Sequence, residues 1–168
     1  MLKDFERNKP EDKEALNEEI KALRNNLFPR LQAMREKKLP MLVLLEGWAA
    51  AGKGSLIKEL ISEIDPRFYN VVTPALIPES QNRYPFLFPY ATVIPENGKI
   101  MFLDSGWIEN LVRKSLRREI TAEEYQARIR QINEFERQLR DGGYLVMKLF
   151  LHIDRDEQRE RLEELSEK

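Results

Sequence analysis

Met41-Leu42-Val43-Leu44-Leu45 and, one residue on, Gly47-Trp48-Ala49-Ala50-Ala51-Gly52-Lys53-Gly54-Ser55 decide the fold. The first run is short, continuous and apolar, the pattern of a strand buried on both faces of a parallel sheet. Residues 47–53 then fit G-x-x-x-x-G-K, the phosphate-binding loop, which requires a strand before it and a helix after it. A helical pattern follows over 53–64, and Asp65-Pro66 ends it. The glycines let the backbone curl so that successive N–H groups point at one anion. The helix N-terminus adds its dipole, and Lys53 a mobile positive charge. An ordinary tight turn carrying a surface lysine is the alternative, and the strand-loop-helix setting argues against it. Gly47, Gly52, Lys53, Gly54 and Ser55 are therefore the candidate phosphate-binding residues. Gly54 stands where a Ser or Thr normally holds magnesium, and Ser55 comes one residue late. A magnesium ion must then find ligands elsewhere.

Outward from the loop, strands and helices alternate. Toward the N-terminus, Leu16, Ile20, Leu23, Leu27 and Leu31 recur at three- and four-residue steps. This predicts a long amphipathic helix over 11–37 that packs its stripe on the parent domain or, less simply, on a partner helix. Pro40 breaks the chain after it. Toward the C-terminus, Asn70-Val71-Val72-Thr73 reads as a second strand. Residues 74–98 carry five prolines and are irregular, with a short helix around 79–88. Lys99-Ile100-Met101-Phe102-Leu103-Asp104 is a third strand. Residues 107–118 and 121–141 read as helices, the second opened by a Thr121/Glu124 capping box and stopped at Gly142-Gly143. A fourth strand runs over 144–153, and Asp154 or Asp156 caps a last helix. The class is α/β: a P-loop kinase-like three-layer fold with a mainly parallel sheet, preceded by a long N-terminal helix. Residues 1–38 form the helical extension and 39–168 the core.

Composition narrows the function. A net charge of -1 gives no global pull toward nucleic acid or an anionic membrane, so anion binding must be local. No cysteine is present, which excludes thiolate metal sites, disulfides and cysteine nucleophiles. No apolar leader or spanning stretch is visible, and a cytoplasmic location is expected.

Asp104 is the second candidate. An acid at the carboxyl end of a strand beside the P-loop strand lies in the crevice where ligands bind. There it can hold magnesium directly or through water. An Asp at a strand end can equally be a turn residue, and the P-loop favours the functional role. Lys53 and Asp104 are the candidate catalytic pair, with Asp104 the candidate metal ligand.

With both motifs in view, the chain resembles the family-2 polyphosphate kinases over roughly residues 11–165. Their loop reads G-x-D-A-A-G-K-G, matched here by residues 47–54, so Gly54 is a family feature. Their D-R-S-W-Y is matched by Asp104-Ser105-Gly106-Trp107-Ile108. Phe135-Glu136, Lys148-Leu149-Phe150-Leu151-His152-Ile153 and Glu157-Gln158 match further family segments. The resemblance implies magnesium-dependent phosphoryl transfer between inorganic polyphosphate and AMP or ADP, with ATP among the nucleotides handled. It implies neither nucleic acid nor membrane as partner. The departures are specific: the loop acid is Ala49, the arginine after the strand acid is Ser105, and its tyrosine is Ile108. The family's P-Y-L-W-R stretch is Pro85-Phe86-Leu87-Phe88-Pro89, which lacks the arginine. This pattern resembles the degenerate N-terminal domain of tandem family members. The family's lid and final strand have no counterpart before Lys168. The core is therefore expected to be incomplete at its C-terminal end. Its partner would be a second P-loop domain of the same polypeptide or a further copy of the chain.

Three functions compete on this reading: an impaired polyphosphate:nucleotide phosphotransferase, a non-catalytic polyphosphate- or nucleotide-binding module supporting an active sister domain, and an ATP-dependent small-molecule kinase. His152 reads as a packed, hydrogen-bonded side chain rather than a base. Trp48 and Trp107 read as loop packing rather than base stacking. Arg113, Lys114, Arg117 and Arg118 read as a solvated face balanced by acids, with polyanion binding as the alternative.

Overall fold

The computed structural model describes residues 12–73 and 84–167. The chain runs α1 (Lys13–Glu36), β1 (Met41–Gly47), α2 (Lys53–Ile61), β2 (Tyr69–Val72), α3 (Phe88–Ala91), β3 (Ile100–Asp104), α4 (Trp107–Leu116), α5 (Ala122–Asp141), β4 (Leu145–Leu151) and α6 (Arg155–Ser166). The four strands make one parallel sheet in the order β2-β3-β1-β4.

Alternation along the central strands sorts the core into two layers. Leu42, Leu44, Met101 and Leu103 face Trp107 and Leu111 of α4 and Ile132 and Leu139 of α5. Val43, Leu45, Ile100 and Phe102 face Ile57 of α2 and Met34 of α1. β1 and β3 are buried on both sides because helices cover both faces of the sheet. The expected three-layer α/β fold is the one observed.

Boundaries move by a few residues. α2 stops at Ile61, where the Ser62 hydroxyl turns back onto the Glu59 carbonyl. The Thr121/Glu124 capping box forms as the spacing predicts, and Asp154, not Asp156, caps α6. The short helix expected over 79–88 lies half outside the described residues; within them the observed helix is Phe88–Ala91. The α1 stripe divides. Leu31 and Met34 pack on the core, whereas Leu16, Ile20 and Leu23 are exposed. β4 is an edge strand, so Leu145, Met147 and Phe150 are exposed too. No helix among the described residues is long and apolar enough to cross a membrane.

Candidate phosphate site

The loop between β1 and α2 takes a backbone path that few side chains tolerate. Gly47 has φ +145°, Ala50 +60° and Gly52 +94°. Glycine is required at Gly47, where a Cβ would stand 2.4 Å from the Leu151 carbonyl oxygen of β4. Gly52 is the N-cap of α2 and brings no side chain to the first turn. An ideal Cβ at Gly54 would meet nothing within 4 Å.

Four successive loop carbonyls are tied off by side chains. Lys53 Nζ donates to the Gly47 oxygen at 3.2 Å and to the Trp48 oxygen at 3.4 Å. Gln158 Nε2 donates to the Ala49 oxygen at 3.0 Å, and Arg161 Nη1 to the Ala50 oxygen at 3.2 Å. In a trans peptide the N–H points opposite to the C=O. Fixing these carbonyls therefore fixes where the following amides aim, and it prepares them for an anion on the other side. The amide of Ala51 is the exception, because it closes a turn onto the Trp48 oxygen. Gln158 and Arg161 lie on α6, more than a hundred residues from the loop they hold.

A second network sits at the start of α4. Its N-cap, Gly106, has no side chain, and Glu46 of β1 supplies the cap instead. Glu46 Oε1 accepts from the Ile108 amide at 3.1 Å and Oε2 from the Glu109 amide at 2.8 Å. A Cβ at Gly106 would come within 2.2 Å of Glu46 Oε1, so the missing side chain makes room for the carboxylate. Burial pushes the Glu46 carboxyl up to about 7; the two amides and Lys53 oppose the rise, and Glu109 adds to it.

Glu109 closes the site. Its Oε2 lies 3.2 Å from Lys53 Nζ, with both side chains largely buried. Its Oε1 accepts from Arg113 Nη2 at 2.7 Å and from the Ser105 hydroxyl at 3.2 Å. Ser105 itself has φ +73°, and its amide bonds the Leu45 oxygen.

Of the residues expected from sequence, Gly47, Gly52, Lys53, Gly54 and Ser55 share this loop and the first turn of α2, where Ser55 is exposed. Asp104 ends β3, the strand paired with β1, and stands opposite Leu45. It is half-buried. Among the described residues no three acids or imidazoles gather to hold a metal. A lone carboxylate such as that of Asp104 is of the donor type that magnesium takes when phosphates and water complete its shell.

The other singled-out residues belong to the frame. Trp107 is fully buried and donates from Nε1 to Glu136 at 2.9 Å, with Phe135 edge-on to its ring. Lys148 pairs with the same Glu136 at 2.8 Å. Trp48 donates from Nε1 to His152 Nδ1 at 3.0 Å, although both side chains remain partly exposed. In the basic cluster, Arg113 pairs with Glu109, and Lys114 and Arg117 with Glu119. Sequence reading missed Glu46, Glu109 and Arg161. Only the side-chain-free N-cap at Gly106 hinted that a distant acid must cap α4.

A glycine-rich loop from the central strand into a helix, with an acid ending the neighbouring strand, defines a P-loop kinase-like domain. The Polyphosphate kinase 2 (PPK2) family matches residues 10–168, and the chain belongs to that family. It is 30% identical over 152 residues to the polyphosphate:AMP phosphotransferase of Pseudomonas syringae pv. tomato, covering 90% of this chain and 30% of that protein. It is 30% identical over 148 residues to the AMP/ADP-polyphosphate phosphotransferase of Meiothermus ruber, covering 87% of this chain and 55% of that one. A putative polyphosphate kinase 2 structure from Pseudomonas aeruginosa superposes with a TM-score of 0.90 at 27% identity, over 99% of this chain and 36% of the other. The chain thus spans between about a third and about half of the length of these relatives.

Proposed function

We propose that the domain binds inorganic polyphosphate and an adenine nucleotide at the loop, and belongs to a protein that transfers a phosphoryl group between them. The observation that carries this reading is the set of tethered carbonyls at Gly47, Trp48, Ala49 and Ala50. They orient a cradle of main-chain donors beside Lys53. In the transfer, an oxygen of the acceptor phosphate forms a new P–O bond as the bridging P–O bond of polyphosphate breaks. The shortened polyphosphate leaves with the bridging oxygen. Lys53 and the loop amides hold the phosphates in line for that exchange. Asp104 would hold magnesium, which would supply positive charge to offset the charge on the phosphate oxygens.

The domain's own turnover is slow on this reading. Ala49 offers no anionic ligand, and Ser105 offers none of the fork that an arginine gives to phosphate oxygens. Removing one charge-stabilising group of this type typically costs about two to three powers of ten in rate. A second reading follows from the same two residues: a polyphosphate- or nucleotide-holding module beside an active P-loop domain of the same polypeptide or a further copy of this chain. Residues 1–38 would then be its helical extension and 39–168 its P-loop core.

The test is phosphoryl transfer by the purified chain, with polyphosphate and ATP as alternative donors and AMP and ADP as acceptors. Slow polyphosphate-dependent turnover, raised by Ala49→Asp with Ser105→Arg, supports the first reading. Binding without turnover supports the second. Turnover of roughly 1–100 per second, the ordinary kinase range, would show the site unimpaired. Transfer from ATP alone would overturn polyphosphate as donor.

A further inference from the structure

Lys53 is already engaged on every side the described residues reveal. It donates to two loop carbonyls, and its third neighbour is the Glu109 carboxylate at 3.2 Å. Only 12% of the Lys53 side chain and 17% of that of Glu109 are exposed. A phosphate seated on the loop needs the same positive charge. The carboxylate therefore stands where a phosphate oxygen has to come, and it brings the same sign of charge.

The contact is also incomplete. Glu109 Oε2 is buried and makes no aligned hydrogen bond among the described residues; its contact with the Lys53 ammonium at 3.2 Å is an ion pair only. Its partner oxygen Oε1 is better held, by Arg113 at 2.7 Å and Ser105 at 3.2 Å. Half of the carboxylate is anchored on α4 and half rests against the lysine by charge alone. Such a group can be displaced from Lys53 while it keeps its grip on Arg113, which lies one turn further along α4.

We propose that Glu109 is a built-in competitor for the phosphate position. It neutralises Lys53 in the empty site and sets a threshold that favours ligands of high negative charge. A mononucleotide phosphate offers too little charge to displace it, whereas polyphosphate, with several adjacent charged groups, does displace it. The proposal rests on the reading of the loop as a phosphate site. It makes Glu109 the residue that sets the affinity threshold of that site.

The experiment is calorimetric titration of the full chain with inorganic tripolyphosphate and with inorganic phosphate, in metal chelator, for the wild type, Glu109→Gln, Glu109→Ala and Lys53→Ala. Releasing one charge-assisted contact corresponds to roughly a ten- to hundredfold tightening. Both Glu109 variants should bind tripolyphosphate and phosphate tighter by that same factor, since each ligand has to displace the same carboxylate. Lys53→Ala should lose binding. If Lys53→Ala loses binding while the Glu109 variants match the wild type, the competitor role is overturned and the phosphate loop stands. If Lys53→Ala binds like the wild type, the loop is not the site and both fall. Weaker binding in the Glu109 variants would make Glu109 a ligand-holding group and overturn the proposal. No binding by any variant would overturn it as well, since removing the carboxylate should bring affinity into range.

Discussion

Lowering the pH from 8.5 to 5 should stabilise the domain through one side chain, Glu46. The carboxyl is buried beneath the start of α4, and burial raises it from an ordinary 4.5 to about 7. The sign follows from linkage. Above pH 7 the group is ionised in both folded and unfolded chains, and the fold bears the full penalty of a buried charge. As pH falls through 7, the folded protein takes up a proton that the unfolded chain still leaves off. Stability therefore rises until about pH 4.5, where both states are protonated. At about 1.4 kcal/mol per pH unit, the interval from 4.5 to about 7 is worth about 3 kcal/mol. Exposed acids pull the other way only below this window. Arg67 holds Asp65 down to about 2 and Arg137 holds Glu134 down to about 2, so their contributions disappear as pH falls from about 4 toward 2. Glu46→Gln removes the titration and keeps one acceptor for the two amides. Urea unfolding of both proteins at pH 8.5, 7 and 5 isolates the effect, because all other titrating groups are shared and cancel in the difference. Wild type should gain about 3 kcal/mol on the variant between pH 8.5 and 5. A gap that stays constant across pH, or widens in the alkaline direction, would refute the assignment of a raised, buried carboxyl.

Gly47→Ala should destabilise by about 3 kcal/mol or prevent folding, since its Cβ would press on the Leu151 carbonyl at φ +145°. Gly54→Ala, with open space at its Cβ, should leave urea stability equal or slightly raised. Trp107→Phe keeps an aromatic ring but removes the pyrrole half of a fully buried indole together with its donor to Glu136, and should cost about 2–4 kcal/mol in the same assay. Gln158→Ala should weaken tripolyphosphate binding about tenfold by freeing the Ala49 carbonyl and with it the aim of the Ala50 amide, yet change unfolding free energy by less than about 1 kcal/mol because the side chain is partly exposed. Equal affinity by calorimetry would show that the tether does not shape the loop.

The frame of this domain was legible because local rules agree along the chain. The apolar run of β1, the loop glycines and the Thr121/Glu124 box each have a short-range cause, and each forms as the spacing predicts. The placement of Asp104 at the end of the strand paired with β1 followed from the parallel order. What escaped sequence reading is long-range. Glu46 caps a helix that begins 61 positions later, and Arg161 reaches back 111 positions to Ala50. Such contacts depend on strand order and side-chain direction, which no spacing along one segment encodes. Glu109 was hidden for a different reason. On a helix bearing Arg113, it reads as half of an ordinary i,i+4 surface pair, and only the fold turns its other oxygen toward Lys53. The exposed half of the α1 stripe shows the limit of periodicity: it predicts an apolar face but not what that face meets.

The matches to the family's motifs and the departures from them divide by what each side chain touches. Trp107, Glu136 and Lys148 form one buried-to-surface cluster under α4, and Gln158 holds the loop from α6. Lys53 holds its own loop carbonyls. Each of these keeps backbone in place. Ala49 and Ser105 differ in kind. The Ala49 side chain has no polar atom to give, and the Ser105 hydroxyl donates to Glu109. An anion cradle made of main-chain donors depends on the first group alone, because the donors belong to peptides and the tethers only aim them. Stabilising a migrating phosphoryl group depends on charges aimed at it, which the second group lacks. On the proposed reading, binding and turnover are therefore expected to be separable in this domain. The same division explains why Glu109 can sit at Lys53 without disturbing the fold: it occupies a place that the frame does not use.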